Sequence, residues 1–239
     1  MPVYNSEATL GKAIQSILNQ KHKDFILNIV DDNSTDNSLK IAKSFSSDPR
    51  VNVYKNKINM GAYYSRNYGI YVSKNDQWDF FTTHDSDDVS FENRYKTIVR
   101  KFQSRSELSG IQDTFERIDL ETGQTLSSKM TMAHAVFRRI VLEEMGYFDN
   151  VRFGGDWEYW QRLKLFNKTF DNGRQVFGIK TILGESYIHS KNLTVLIPET
   201  SSRRHSYVKR AIKKMSRMRT PSHFYFSYEP EKGYTRRVS

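Results

Sequence analysis

"FILNIVDDNSTDNS", Phe25 to Ser38, is an apolar run broken once by Asn28 that stops at two aspartates and continues as small polar residues. Phe25 to Val30 read as a strand buried on both faces, as strands of parallel sheets are. The polar stretch is rich in capping side chains, and Ser34 or Thr35 is placed to cap a helix running through Phe45. A strand that hands over to a helix through such a turn is one βα unit.

The same rhythm extends in both directions. Upstream, Ser6 to Gln20 sets Leu10, Ala13, Ile14, Ile17 and Leu18 at helical spacing, with Ser6 as the expected N-cap. Downstream, a strand from Val51 to Tyr54 precedes a helix from Gly61 to about Val72. The apolar strand "WDFFTT" (78–83) then runs straight into "HDSDD" (84–88). This alternation predicts an α/β chain with a mixed, mainly parallel sheet flanked by helices. In such sheets ligands gather outside the carboxyl ends of the strands, so "DDNSTD" and "HDSDD" are expected to share one cleft. Beyond Arg94 the pattern predicts a further helix, a hairpin around Glu121 to Gln124, helices over Arg138–Gly146 and Gly155–Phe166, and short strands over Gln175–Ile179 and Leu183–Ile188.

Composition narrows the classes. The 239 residues suit one substantial core, and no window approaches the roughly 18 uninterrupted apolar residues of a membrane span. Without cysteine there is neither a disulfide framework nor a thiolate metal site, which leaves Asp, Glu and His as side-chain ligands for a hard cation such as Mn or Mg. The net charge of +10 is uneven: residues 199–239 hold eleven Lys or Arg against three Glu. The body, 1–198, is nearly neutral.

Crowded carboxylates such as Asp85, Asp87 and Asp88 repel one another, so they mark either a solvated turn or a cation site. Asp31 and Asp32 have a turn-capping alternative, Arg66 that of a surface ion pair, and Asp156 that of a carboxylate at a helix N-terminus. Taken together, "MPVYNSE", "VDDNSTDNS", "GAYYSRNYGI", "HDSDD", "FRRIVLEEMGYFD" and "GGDWEYWQRL" resemble, in order and spacing, the motifs of family 2 glycosyltransferases. The resemblance covers about residues 1–194 and implies the Rossmann-like GT-A fold.

It also implies roles. Pro2, Tyr4, Asn5 and Asp32 would hold the base of a nucleotide sugar, usually UDP-linked. Arg66 would approach the diphosphate or base, and Asp85 and Ser86 the nucleotide sugar. Asp87 and Asp88, with His189 of "YIHSKNLT", would hold a divalent cation, Mn or Mg. Asp156 would be the general base of an inverting transfer of a hexosyl or N-acetylhexosaminyl group, with Glu158 as a lesser candidate, since many relatives carry Glu-Asp where this chain has Gly155-Asp156. Trp157, Tyr159 and Trp160 are open between an acceptor site and the core. The acceptor would be a glycan, a lipid-linked acceptor or a protein, as in polysaccharide biosynthesis, with residues 1–94 as the nucleotide-sugar half and 95–198 as the acceptor half. His84 and His134 are given no role beyond structure.

Two rival readings are a sugar nucleotidyltransferase and a non-catalytic nucleotide-sugar-binding module. The first would carry a Gly-rich, basic phosphate loop after its first strand, and "PVYNSEATLGK" offers none.

The tail sequence "RRHSYVKRAIKKMSRM" (203–218) sets Tyr207, Ala211, Met215 and Met218 on one stripe of a basic amphipathic helix. Two readings stand: packing on the body, or peripheral contact with an anionic membrane at its cytoplasmic face. No fold signature supports nucleic-acid binding. Finally, in the family "PVYN" closes an apolar strand inside the sheet, whereas here only Met1 precedes Pro2. The resemblance thus implies a truncated first strand, with further apolar residues, and any targeting signal, upstream in the natural protein.

Overall fold

The computed structural model describes residues 1–188, 200–217, 220–231 and 234–237. Its N-terminal part is the expected βα series. β1 (Pro2–Val3), α1 (Leu10–Leu18), β2 (Leu27–Asp31), α2 (Ser38–Ser44), β3 (Val51–Lys55) and α3 (Ala62–Tyr71) follow in order, and the strands form a parallel sheet ordered β1-β2-β3. Register is set by Pro2 opposite Val30 and Leu27 opposite Val51. The apolar face of α1 packs Leu10, Ala13, Ile14 and Ile17 against Val3, Leu27 and Ile29 of the sheet. Removing those side chains from water is the main local gain, about 1.5 to 3 kcal/mol for each large aliphatic.

After β4 (Phe80–Thr82) and β5 (Asp88–Ser90) the chain changes character. Helix α4 (Arg94–Ser104) leads into the long hairpin of β6 (Leu108–Asp119) and β7 (Thr125–Arg138), then α5 (Arg139–Met145), α6 (Gly155–Phe170) and β8 (Gln175–Ile188). The second sheet is ordered β4-β7-β6-β8-β5. It is parallel between β6 and β8 and antiparallel in its other ladders.

Several boundaries differ from expectation. Helix α1 begins at Leu10 and not near Ser6, whose hydroxyl bonds the Ser86 hydroxyl (2.8 Å) instead of capping a helix. Helix α2 starts at Ser38, because Ser34 and Thr35 are engaged with Asn5 in the preceding turn. Strand β5, inside the acidic motif, had no apolar alternation to announce it. The two short strands expected after Gln175 are one strand with a register shift opposite Asp113 and Thr114.

The C-terminal segment belongs to the body. Helix α7 (Thr200–Met215) is followed by a 3-10 turn (Pro221–Phe224) and the hairpin of β9 (Phe226–Glu229) and β10 (Tyr234–Arg237). Met215, Phe224 and Tyr228 join Tyr63, Phe81, Phe137, Tyr159 and Trp160 in one core. So the apolar stripe expected on the tail helix faces inward at Met215, while Arg203, Lys209, Arg210, Lys213 and Lys214 face water; Met218 lies outside the described residues. The junction with the body is tight at Gly146, whose φ of +68° suits glycine and where a Cβ would stand 2.0 Å from the Phe226 carbonyl oxygen.

Candidate active site

At the end of β2 both aspartates are buried. Asp32 accepts from Asn56 Nδ2 (2.7 Å) and from the backbone N–H groups of Met60 (2.8 Å) and Gly61 (2.7 Å). That uses three of the roughly four acceptor directions of a carboxylate and fixes the entry to α3. Asp31 accepts from the Ser34 N–H through Oδ2, while its Oδ1 is buried with no hydrogen-bond partner among the described residues. Opposite them, Asn5 takes a positive φ of 48° and its Oδ1 accepts the Thr35 N–H (2.8 Å), which leaves Tyr4 half exposed just after β1.

Helix α3 joins this cluster to the second. Its Arg66, buried, donates to Asp85 Oδ1 in the loop after β4 and lies 4.8 Å from the centre of the Tyr63 ring. Burial alone would raise the Asp85 carboxyl, but the Arg66 guanidinium, helped by His134, holds it at about 2. Asp85 is therefore anionic throughout the neutral range. Ser86 is fixed from α1, its hydroxyl to Ser6 and its carbonyl to Thr9 Oγ1 (3.0 Å). Helix α3 links the two clusters: Asp32 holds its first turn and its Arg66 reaches Asp85.

Asp88 points inward instead of into the loop. It is 4% exposed, and its Oδ2 accepts from His134 Nε2 at 2.5 Å. The other His134 nitrogen faces the Thr83 carbonyl (3.3 Å), and the ring stacks on Phe115. Burial would lower the His134 pKa, but bonding to Asp88 overrides it and raises it. Asp85, Asp88 and His134 bring ligand atoms within 4.8 Å of one another. Two carboxylates and an imidazole are a fitting donor set for Mn. His189 lies outside the described residues.

Asp156 occupies the first turn of α6, half-buried and next to Tyr63 of α3. Tyr63 Oη donates to its Oδ1 (2.6 Å) and accepts its backbone N–H (3.1 Å). The contact needs Gly155, since a Cβ there would sit 2.9 Å from the Tyr63 ring. A continuous line of contacts thus runs from Asp85 through Arg66 and Tyr63 to Asp156. Glu158 is withdrawn from the cleft: it is fully buried and ion-paired with Arg162 (3.1 Å). Tyr159 and Trp160 are core, while Trp157 is half-buried with its ring edge-on to His205 at 4.6 Å.

The sequence model described as "Glycosyl transferase family 2" matches residues 1–174. The chain belongs to glycosyl transferase family 2. Among curated proteins this family 2 chain is 35% identical over 106 residues to the glycosyltransferase GlyG of Streptococcus pneumoniae serotype 4, a match covering 44% of this chain and 34% of GlyG. It spans about a third of the length of that relative. Among solved structures it resembles S. aureus TarS 1-349 in complex with UDP-GlcNAc, with a TM-score of 0.69, 16% identity and coverage of 88% of this chain and 64% of that one. It also resembles the mannosyltransferase PcManGT of Pyrobaculum calidifontis in complex with GDP-Man and Mn2+, with a TM-score of 0.66, 12% identity and coverage of 87% and 62%. The fold is GT-A.

Within this family 2 site the structure draws together Asp32, Arg66, Asp85, Ser86 and Asp156, and sets Pro2, Tyr4 and Asn5 along the β2 side. It adds Tyr63 and His134, which sequence reading passed over. Tyr63 stands in "GAYYSRNYGI", three residues before Arg66 and so on the same helical face, a usable signal. His134 had none: it lies on β7, in "TMAHAVF", far along the chain from Asp88.

Proposed function

We propose that the chain transfers a sugar from a nucleotide sugar, UDP-linked, to an acceptor hydroxyl with inversion at the anomeric carbon. The observation that carries this reading is the line Asp85–Arg66–Tyr63–Asp156, which ties an anionic, donor-side loop to a carboxylate set apart on the facing helix.

The donor base would lie between the exposed Tyr4 ring and the end of β2, where the Asp31 Oδ1 and the remaining lone pair of Asp32 are the acceptors for a base N–H. Arg66 holds Asp85 ionised and presents positive charge to the diphosphate. Tyr63 occupies one oxygen of Asp156 as a donor, which leaves the second oxygen to take the proton of the attacking hydroxyl. Asp85, Asp88 and His134, with Asp87 at the turn between β4 and β5, are the residues that would hold a divalent cation, which when bound neutralises charge on the departing nucleoside diphosphate. Holding it there would exchange the Asp88–His134 hydrogen bond for two ligand bonds.

Among the described residues no helix is long and apolar enough to cross a membrane. Because the apolar stripe of α7 packs on the body at Ala211 and Met215, membrane contact through this helix would rest on its outward basic side chains and would weaken with salt.

The reading is tested by UDP titration with and without Mn, followed by hydrolysis of a UDP-sugar panel. UDP should bind more tightly with Mn, and Asp85→Ala should remove that gain and lower affinity about tenfold or more, as expected for a charged hydrogen-bonded contact. A binding module would bind UDP but hydrolyse no donor. Identical titrations with and without Mn in the unmodified chain would end the metal-assisted reading.

A further inference from the structure

A cavity of about 460 Å3 lies between the segment that leads into α6 and the face of α7. Its floor is Val151 and Phe153. Its rim carries Arg152 from the α6 side and Arg203 and Arg210 from α7. Arg203 and Arg210 are two helical turns apart and so share a face, with Ser206 and Tyr207 between them. Among the described residues Arg152 and Arg210 form no ion pair, as is also true of Arg100 and Arg117, so their guanidinium groups are not committed to a carboxylate. The nearby carboxylate of Asp149 is occupied by Tyr207 Oη (2.6 Å).

The placement is as informative as the charge. Phe153 is three residues before Asp156, Gly154 packs on the stem of Arg204, and Trp157 meets His205, so the cavity is built from the same α6–α7 contact that carries Asp156 on its first turn. We infer that this cavity holds a phosphate group carried by the acceptor, gripped by Arg152 and Arg210 with Arg203, so that a neighbouring hydroxyl is presented to Asp156. Guanidinium forks lining one concave surface suit the oxygens of a phosphate ester, and the N-terminus of α6 begins just after Phe153 of the same lining. An acceptor of this kind is a phosphorylated polyol or a lipid-linked phosphate. The inference rests on the transferase reading only in calling the occupant an acceptor.

The test uses the full chain at constant ionic strength, with glycerol 3-phosphate as probe and glycerol as its neutral control, with and without saturating UDP and Mn. Glycerol 3-phosphate should bind and glycerol should not. The double variant Arg152→Gln, Arg210→Gln should lose about tenfold or more of that affinity while UDP affinity stays within about twofold. A second arm measures retention on phosphatidylglycerol vesicles. Retention that vanishes in the double variant but persists in Lys209→Gln, Lys213→Gln, without binding of the soluble ester, supports the cavity and assigns the phosphate to a lipid; equal loss in both variants overturns it. Binding that is the same in the double variant and the original chain, or absent in both arms, overturns the inference. Because UDP is titrated separately, failure of the donor reading shows as loss of UDP binding and leaves the arginine-dependent result legible.

Discussion

Replacing Asp156 by Asn should abolish sugar transfer while leaving UDP affinity within a few-fold of the original. The Asp156 side chain is held by the Tyr63 hydroxyl on α3 and reaches the nucleotide side only indirectly, through Tyr63 and Arg66, so UDP binding should feel its loss weakly. Asn preserves size and can still accept from Tyr63, but it cannot take a proton. Loss of a placed base costs about 10²- to 10⁴-fold in rate. Tyr63→Phe gives an intermediate case. It removes the donor that orients Oδ1 and leaves the Asp156 N–H without its acceptor, so kcat should fall about tenfold with little change in donor KM. Equal loss of transfer and UDP binding in the Asn variant, read by calorimetry, would show that Asp156 serves the nucleotide instead.

The second large effect is structural. Arg162, fully buried on α6, donates to the carbonyls of Met145 (2.8 Å), Tyr147 (2.8 Å) and Phe224 (3.0 Å), and its guanidinium lies 4.0 Å from the centre of the Phe226 ring. One side chain thus clamps the end of α5, the segment before α6 and the C-terminal turn. Arg162→Met should destabilise the chain by about 3 to 5 kcal/mol, because the fully buried Glu158 loses its ion pair with Arg162 and three buried carbonyls lose donors. Against a usual total of about 5 to 15 kcal/mol that is severe. The double variant Glu158→Gln, Arg162→Met should recover part of the loss by removing the buried negative charge. Urea melts of the three proteins decide it; a change below about 1 kcal/mol in the single variant would refute the clamp.

How far the sequence carried the reading depended on the range of each interaction. Leu10, Ala13, Ile14 and Ile17 form a helical stripe that any window over them detects, and the α1 core follows from it. The apolar run into Asp31 and Asp32 placed those acids at a strand end by the same local logic. Ser6 misled because its hydroxyl is claimed by Ser86, a partner with no local signature. Asp88 reads as one more loop acid until β5 turns it inward toward His134, and that turn depends on pairing with β8. The tail helix showed its apolar stripe plainly, yet only the fold shows what that stripe covers.

The place of β8 in the second sheet also bears on how the chain reaches its native state. Leu108 pairs with Gln175, across the whole of β7, α5 and α6, and β5 is an edge strand whose ladder partner is β8. Contacts so distant along the chain lose loop-closure entropy before they return any pairing, and they slow folding. The loop bearing Asp85 to Asp88 should therefore be completed late. In a refolding experiment, UDP-dependent fluorescence should recover more slowly than the helical circular dichroism, and superimposable traces would show that the acidic loop is built before β8 arrives.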